Sequence, residues 1–283
     1  MLSLATSASI VGAPRSGTTP ALRKLRRVPR GDARRAVAVR AEAAVKADGK
    51  VGARAKGLAL MLDDGTRKSH SMAENSAFVS GFFRGVSTKE QFGQLVSSLY
   101  FVYTAMEESF DTTDNPNVKA LDYPSLRRLA SLERDMEFYF GADWRSTVKP
   151  TLAAKKYTNR ILEVARDDSN LLIAHQYTRY LGDLFGGQMM GGMATRSLGL
   201  QNGEGIAFYQ FQDISSVKDF IEEWYTKLNE LELSEEEKAR IVDEANYVFT
   251  LNIYILDELE GNALAVAFKL AVEALKERLG MAA

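Results

Sequence analysis

The sequence contains no cysteine and only two histidines, His70 and His175. The absence of cysteine excludes disulfides, thiolate metal sites and cysteine nucleophiles. Any metal site must therefore use one of the two histidines or carboxylates alone, and zinc sites of the common kinds are hard to build from so few ligands. A di-iron helical bundle is disfavoured as well, because neither histidine has a glutamate three residues before it.

Long hydrophobic runs are also absent. No window reaches 18 uncharged apolar residues, so no transmembrane anchor is expected. No proline follows Pro150, and apolar residues recur at helical spacing from about Ala53 onward. With 283 residues, 46% of them apolar, the chain can bury one sizeable core. We therefore predict a single all-α domain over residues 53–262, followed by an amphipathic C-terminal extension over residues 263–283.

The periodicity and the helix-start signals predict helices over residues 57–84, 87–110, 124–141, 150–166, 171–200, 215–231, 234–261 and 264–279. Two of these helices begin at predicted capping boxes, which start at Ser87 and Ser234. Residues 111–123 are predicted to form a polar loop. The short aromatic run IAFYQF, residues 206–211, is ambiguous between a strand and an irregular segment.

Charge is distributed unevenly along the chain. Residues 1–40 contain nine Arg and Lys residues and one acid, Asp32, so they carry about +8, and the net charge of −1 leaves −9 for the remainder. This composition is typical of an organelle transit peptide, and we predict one over residues 1–45 that directs the protein to the chloroplast (plastid) stroma. The alternative is a disordered basic arm that binds nucleic acid. No aromatic residues lie among the arginines, so no nucleic-acid partner is expected.

Residues 171–200 have the apolar spacing of a helix but carry five glycines within eleven positions. The five are Gly182, Gly186, Gly187, Gly191 and Gly192. Each glycine inside a helix costs roughly 1 kcal/mol relative to alanine, so a compensating interaction is required. Gly182 and Gly186 share one helix face, and Arg179 and Asp183 lie beside it. Such bare backbone suits either a flat ligand or close packing against another helix, and the spacing leaves both open.

The histidines differ in their neighbours. Glu74 lies four residues after His70, where it can accept a hydrogen bond from one ring nitrogen and leave the other as a neutral metal ligand. The alternative is an ordinary surface pair. His175 is either a second ligand or, as we prefer, a partly exposed helix residue. A single axial histidine facing a glycine-lined wall is compatible with haem, in which the porphyrin supplies four nitrogens.

Two long motifs go beyond these general patterns. The run AHQYTRYLGDLFGGQ, residues 174–188, closely resembles the distal-helix motif of haem oxygenases. The run TRKSHSMAENSAFVSGFFRG, residues 66–85, resembles the proximal helix of that family. Agreement extends through SLYFVYTAMEES, LERDMEFYFG, GEGIAFYQF and LNIYILDEL, and it covers roughly residues 55–260 in order. The resemblance is nearer to the cyanobacterial and animal forms than to the divergent land-plant form, and it implies an all-α haem oxygenase fold with haem between a proximal and a distal helix.

The resemblance implies roles for the residues around the iron. His70 would be the axial ligand of the haem iron, and Glu74 its hydrogen-bond partner. Asp183 would be the distal carboxylate that holds a water network over the bound oxygen. The polar residues implied around that network are Arg179, Tyr103 and Asn252.

Other residues are implied to contact the haem ring and its substituents. Gly182 and Gly186 match glycines whose backbone lies against the ring. Tyr177 and Arg67 match residues near the propionates. His175 matches a family histidine that is not the ligand, and the last two of the five glycines have no implied role.

The sequence departs from the family pattern where the propionates bind. Asp63 occupies a position that is usually basic, and Ile221 and Tyr225 stand at positions that commonly carry Lys and Arg. Lys227 or Lys218 is the expected substitute for these cations. The anchoring of the propionates determines which edge of the ring is opened, so the expected α regiochemistry depends on this region.

The resemblance implies that haem b is both substrate and prosthetic group, and that the products are biliverdin IXα, carbon monoxide and ferrous iron. In a plastid the expected electron donor is reduced ferredoxin. A monomer is expected, and a biliverdin-using reductase would act downstream. The alternatives are a haem-binding or haem-trafficking protein of the same fold without turnover, and a helical scaffold in which the glycines serve packing only. The intact Asp183 disfavours the first of these alternatives.

Overall fold

The computed structural model describes residues 52–83, 88–261 and 263–279, so the predicted transit peptide lies outside the described residues. The described chain is helical with connecting loops and contains no strand, which confirms the all-α prediction. The helices are α1 Gly57–Glu74, α2 Ala77–Phe83, α3 Lys89–Thr112, α4 Pro116–Ala120, α5 Leu129–Phe140, α6 Trp144–Thr147, α7 Leu152–Asp167, α8 172–198, α9 Val217–Glu230, α10 Glu235–Leu259 and α11 Ala263–Arg278.

The first predicted helix is wrong as a continuous element, because α1 ends at Glu74 and α2 begins at Ala77. The side chain of Asn75 donates to the carbonyl oxygen of Ser71 at 2.7 Å. The hydroxyl of Ser76 accepts from the backbone N–H of Val79 at 3.3 Å. Asn and Ser side chains offer the backbone such local alternatives to helix continuation, and here two of them in succession end one helix and start the next.

Of the two predicted capping boxes, the first is displaced by one residue and the second is confirmed. The box predicted at Ser87 lies one residue later: Thr88 accepts from the backbone N–H of Gln91 at 3.1 Å, and Gln91 accepts from the backbone N–H of Thr88 at 3.0 Å. The box at Ser234 is confirmed, with Glu237 as its reciprocal partner at 3.2 and 2.8 Å. Both boxes satisfy N–H groups that the first helical turn leaves without partners.

Two connecting segments are more ordered than the sequence pattern indicates. The predicted polar loop contains α4, which is capped by Asn115 and has Pro116 in its first turn. The ambiguous aromatic run forms a 3-10 turn, Ala207–Tyr209. The buried carboxylate of Asp135 accepts from the backbone N–H groups of Ala207 and Phe208 at 2.9 and 2.8 Å, and these bonds hold the turn.

Helix α10 is central to the packing of the described chain, because α1, α3, α7, α8 and α11 all pack against it. Helix α11 lies where the C-terminal extension is predicted, with Val266 buried and Lys269 paired with Asp257 at 2.9 Å. No helix among the described residues is long and apolar enough to span a membrane.

His175 is fully buried, so the prediction that it is partly exposed is wrong. Its Nε2 lies 3.2 Å from Oε1 of Glu244, and Nη2 of Arg160 lies 2.6 Å from the other carboxylate oxygen. Burial alone would raise the pKa of Glu244, but the hydrogen bonds from His175 and Arg160 outweigh it and lower the pKa to about 2. Glu244 therefore ties α8 and α7 to α10 as a charged group.

Glu244→Gln should lower the free energy of unfolding at pH 7 by roughly 3 kcal/mol, because it removes one partner of a buried ion pair. The pKa of Glu244 is depressed on folding, so its stabilisation is complete above pH 4.5 and is lost as the pH falls toward 2. Urea unfolding between pH 7 and pH 3 should show a steeper loss for the wild type than for the variant. Glu163→Gln is the control, because Glu163 pairs with Arg160 at the surface. Equal effects of the two substitutions would contradict the assignment.

Candidate functional site

The glycine-bearing helix α8 is not a regular α-helix. Segments Gln176–Leu181 and Asp183–Gly187 are π-helical, between α-helical segments Leu172–His175 and Gln188–Leu198. In a π-helix each backbone hydrogen bond joins residues i and i+5. Such segments are rare in proteins as a whole, but those that occur often lie at functional sites. The predicted weakening of this helix therefore takes the form of a changed backbone register where the candidate site residues lie.

Four of the predicted site residues meet in one cluster. The hydroxyl of Tyr103 donates to Oδ2 of Asp183. Nη2 of Arg179 lies 2.8 and 2.6 Å from the two carboxylate oxygens of Asp183, and Nη1 donates to Oδ1 of Asn252 at 2.5 Å. The amide of Asn252 donates to the carbonyl of Val248 at 2.8 Å, which orients its oxygen toward the arginine. Helices α3, α8 and α10 thus converge on one carboxylate.

The electrostatics of this cluster single out Asp183. Burial raises the pKa of the Asp183 carboxyl, although Arg179 and the hydroxyl of Tyr103 oppose the shift. Burial also raises the pKa of Tyr103 well above its ordinary value, and the nearby carboxylate of Asp183 adds to this. Tyr103 therefore stays a neutral hydrogen-bond donor, and Asp183 is the member of the cluster that can gain and release a proton.

His70 lies on the exposed side of α1, and its side chain is 55% exposed. Its Nδ1 is 3.6 Å from Oε2 of Glu74, slightly longer than a direct hydrogen bond. Its ring packs edge-on against Phe249, with the centroids 5.6 Å apart. Within the described chain Nε2 has no hydrogen-bond partner, so this nitrogen is available to a ligand.

Helix α10 links His70 to the cluster around Asp183, because it contacts both. Phe249 and Asn252 are three residues apart and therefore share a face of α10. Phe249 contacts His70, and Asn252 binds Arg179. The phenol of Tyr177 on α8 also lies near Thr66 of α1. Helices α1 and α8 thus both pack on α10, and we call the open space beside Gly182 and Gly186 the cleft.

The glycines of α8 fall into two groups by what surrounds them. A Cβ on Gly182 or Gly186 would meet nothing within 4 Å. A Cβ on Gly187 would lie 2.6 Å from Cδ1 of Tyr209, and one on Gly191 would lie 3.0 Å from Cβ of Tyr209. The first group therefore leaves open space, and the second allows the 207–209 turn to pack closely on the helix. Close packing is therefore realised at Gly187 and Gly191, whereas a flat ligand over Gly182 and Gly186 stays a prediction.

The predicted propionate-binding residues do not come together. Arg67 is exposed and pairs with Asp64. Lys227 is exposed on α9, two residues from the buried Tyr225 and therefore on another side of that helix. The roles of Arg67 and Lys227 remain predictions.

Two residues that shape the site are absent from those predicted from the sequence. Tyr209 supports α8 through contacts with Gly187 and Gly191, and its sequence signal is only an aromatic residue in an irregular run. Arg54 precedes the first helix and pairs with Asp63. The sequence could have indicated Arg54 only through Asp63, an acid nine residues later at a position that is usually basic in the family.

These features define an all-helical protein whose cleft presents one free histidine nitrogen and, opposite it, bare helix backbone beside a buried carboxylate. Haem fits these residues. Its iron takes one protein nitrogen as an axial ligand, which His70 can supply through Nε2. Its flat ring can use the open space over Gly182 and Gly186.

Comparisons with known proteins identify the family. Residues 56–258 match the family model described as heme oxygenase. The chain is 45% identical to heme oxygenase 1 of Synechocystis sp. over 208 residues, 73% of this chain and 86% of that protein. It is 42% identical to the heme oxygenase of Rhodella violacea over 210 residues, 74% of this chain and 89% of that protein. The crystal structure of heme oxygenase-1 from Synechocystis sp. in complex with heme matches with a TM-score of 0.71 at 42% identity, covering 78% of this chain and all of that chain.

The chain therefore belongs to the heme oxygenase family, and it is an enzyme of that family. The resemblance drawn from the two helix motifs is confirmed. So is the all-α heme oxygenase fold.

Alanine substitutions should separate the two groups of glycines. Gly182→Ala should leave the Tm of the ligand-free protein unchanged or higher, because its Cβ has room and alanine favours the helix by roughly 1 kcal/mol. Gly187→Ala should lower the Tm, because its Cβ would overlap the ring of Tyr209. Gly192→Ala is the control, since its Cβ would meet only the end of Arg196 at 3.6 Å. The prediction is wrong if thermal unfolding shows equal effects at Gly182 and Gly187.

Proposed function

We propose that this protein cleaves haem b to biliverdin, carbon monoxide and ferrous iron, with O2 and an external reductant as co-substrates. The observation that carries the proposal is the cluster of the half-buried Asp183 and Arg179 with the buried Tyr103, beside the open backbone of Gly182 and across the cleft from His70. Membership of the heme oxygenase family supports the reaction class. Haem, when bound, supplies the redox chemistry through its iron and also the carbon that is oxidised.

His70 would hold the iron on the proximal side through Nε2. Glu74 lies 3.6 Å from Nδ1 and favours the tautomer that carries its proton there, which leaves Nε2 as the ligand. His70 would give the iron an imidazole ligand, which donates less electron density than a thiolate does.

Asp183 would supply protons on the distal side. Its raised pKa suits a group that carries a proton, while Arg179 and Tyr103 fix its carboxylate in place. Nε of Arg179 is buried and has no hydrogen-bond partner in the described chain, and such groups usually bind ordered water. Asp183 could therefore pass protons through water toward the open space beside Gly182. His175 cannot act as a base there because it is buried against Glu244.

The position of attack on the ring depends on how haem lies in the cleft. The open backbone at Gly182 and Gly186 allows the ring to approach α8 closely. Tyr177 is the proposed contact of the propionates, since Arg67 pairs with Asp64 and Lys227 lies on another side of α9. With the propionates held at that end of the cleft, we propose the α isomer of biliverdin as the product.

The physiological setting follows from the charge distribution and the proposed transit peptide over residues 1–45. We place the protein in the plastid stroma as a monomer, with reduced ferredoxin as electron donor and a biliverdin-using reductase downstream. Residues 41–283 carry a net charge of −9, so an acidic donor has to dock on a local basic surface. Bilin synthesis and haem turnover are the proposed outcomes of the reaction.

The test of the proposed function compares the wild type with Asp183→Ala. Both proteins should give a Soret band with haemin, because Asp183 does not ligate the iron. With ferredoxin, its reductase and NADPH, the wild type should form biliverdin, and Asp183→Ala at least tenfold less, because its proton donor is lost. A stable Soret band without biliverdin from the wild type would instead support the non-catalytic haem binder. The absence of a Soret band would show that the protein does not bind haem and would favour the alternative of a helical scaffold.

Substitution of the histidines should separate the ligand from the structural histidine. His70→Ala should abolish biliverdin formation and change the Soret spectrum of bound haem, because the axial ligand is lost. His175→Ala should keep turnover but lower the Tm, because it opens a cavity beside Glu244. Biliverdin yield, the ferric haem spectrum and thermal unfolding check both variants. Equal loss of turnover in the two variants would mean that the ligand is wrongly assigned.

A further inference from the structure

Arg54 belongs to a short turn, Ala53–Ala55, that is fixed on helix α9 before α1 begins. The backbone N–H of Ala53 donates to Oε1 of Glu222 at 2.6 Å, and its carbonyl accepts from Nδ2 of Asn229 at 2.8 Å. Asn229 also accepts from the backbone N–H of Ala59 at 3.0 Å. The position of Arg54 is therefore determined by contacts on both sides of it.

The side chain of Arg54 is held by one carboxylate oxygen. Nε lies 3.0 Å from Oδ1 of Asp63, and Nη2 donates to the same oxygen. A guanidinium has five N–H groups, and Nη1 makes no hydrogen bond to any described residue. The side chain is 40% exposed. Asp63 thus orients Arg54 and leaves N–H groups free for a second anion.

Arg54 lies at a defined place relative to His70. Asp63 and His70 are seven residues apart on α1, so they share a face and are about 10 Å apart along the helix axis. This separation is similar to that between the iron of haem and its propionate carboxylates. A haem whose iron is bound by His70 and whose propionate edge points toward the start of α1 would therefore bring a carboxylate to Arg54.

Two phenols complete this end of the cleft. Tyr177 from α8 and the buried Tyr225 from α9 lie close enough to Arg54 and Asp63 to interact with them electrostatically. Burial raises the pKa of both phenols, so they remain protonated and can donate to a carboxylate. Of the other cations considered for the propionates, Arg67 is occupied by Asp64 and Lys227 lies on another side of α9.

We infer that Arg54, held by Asp63, binds a propionate of haem and thereby sets the orientation of the ring in the cleft. The inference rests on the proposed function and deepens it. The cation is supplied by the turn before α1, and Tyr225 on α9 contributes a neutral phenol beside it. Arg54 is a positioning residue: it acts on where the ring lies and not on the proton transfers.

The test compares the binding of haemin with that of its dimethyl ester, which lacks the carboxylates. Apoprotein is titrated with each compound, and the Soret absorbance gives the Kd. Arg54→Met should weaken haemin binding about tenfold, since a charge-assisted hydrogen bond is lost. It should leave the Kd of the ester unchanged. Arg54→Lys keeps the charge and should lose less affinity for haemin than Arg54→Met does.

Arg166→Met is the matched control, because Arg166 pairs with Asp167 at an exposed site through the same Nε and Nη2 atoms. It should bind both compounds as the wild type does. The isomers of biliverdin give a second readout: Arg54→Met should form more than one isomer where the wild type forms one. Unchanged haemin affinity in Arg54→Met, or equal weakening for haemin and the ester, would overturn the inference. Failure of the wild type to bind haemin would overturn the proposed function as well.

Discussion

The ion pair between Asp183 and Arg179 across one turn of π-helix is the interaction on which the site depends. A buried carboxylate is unfavourable unless charged and hydrogen-bonding partners surround it. Arg179 and the hydroxyl of Tyr103 supply those partners, and Asn252 in turn holds Arg179. Since these residues come from three helices, the backbone of α8, the position of α3 and the rotation of α10 are fixed together. A shift in any one of these helices would leave a buried polar group without its partner.

Helix α10 couples the two sides of the cleft, because one of its faces serves both. Phe249 sets the position of the His70 ring, and Asn252, one turn later, holds the distal arginine. The distance available to a ligand between α1 and α8 is therefore set largely by one rigid element. The buried Glu244 on the same helix binds His175 and so ties the start of α8 to α10 as well. The second histidine of the chain thus supports the geometry of the site without facing it.

The sequence was sufficient for the approximate positions of the long helices and, through the family resemblance, for the residues that meet at Asp183. It was not sufficient for features set by distant contacts. The π-helical register of α8 depends on partners in α3 and α10, which no local pattern reveals. The helix break at Asn75 depends on side-chain hydrogen bonds of Asn75 and Ser76 to the backbone, which helix propensities do not predict. Tyr209 packs on Gly187 and Gly191, which lie about twenty residues before it in sequence. The position of Arg54 depends on its ion pair with Asp63 and on the contacts of its turn with α9.

The division of the glycines in α8 has a mechanical consequence. Tyr209 presses against Gly187 and Gly191, and its turn is bonded to Asp135, so the C-terminal half of α8 is clamped to the body of the protein. The half that bears Gly182 and Gly186 is bordered by open space. Helix α8 is therefore held at its start by His175 and in its second half by Tyr209, and the segment between these contacts borders open space. A thicker or buckled occupant of the cleft would displace this middle segment. A planar substrate and its opened, non-planar product could then occupy the same cleft in turn, while the contacts at both ends restore one conformation of the helix.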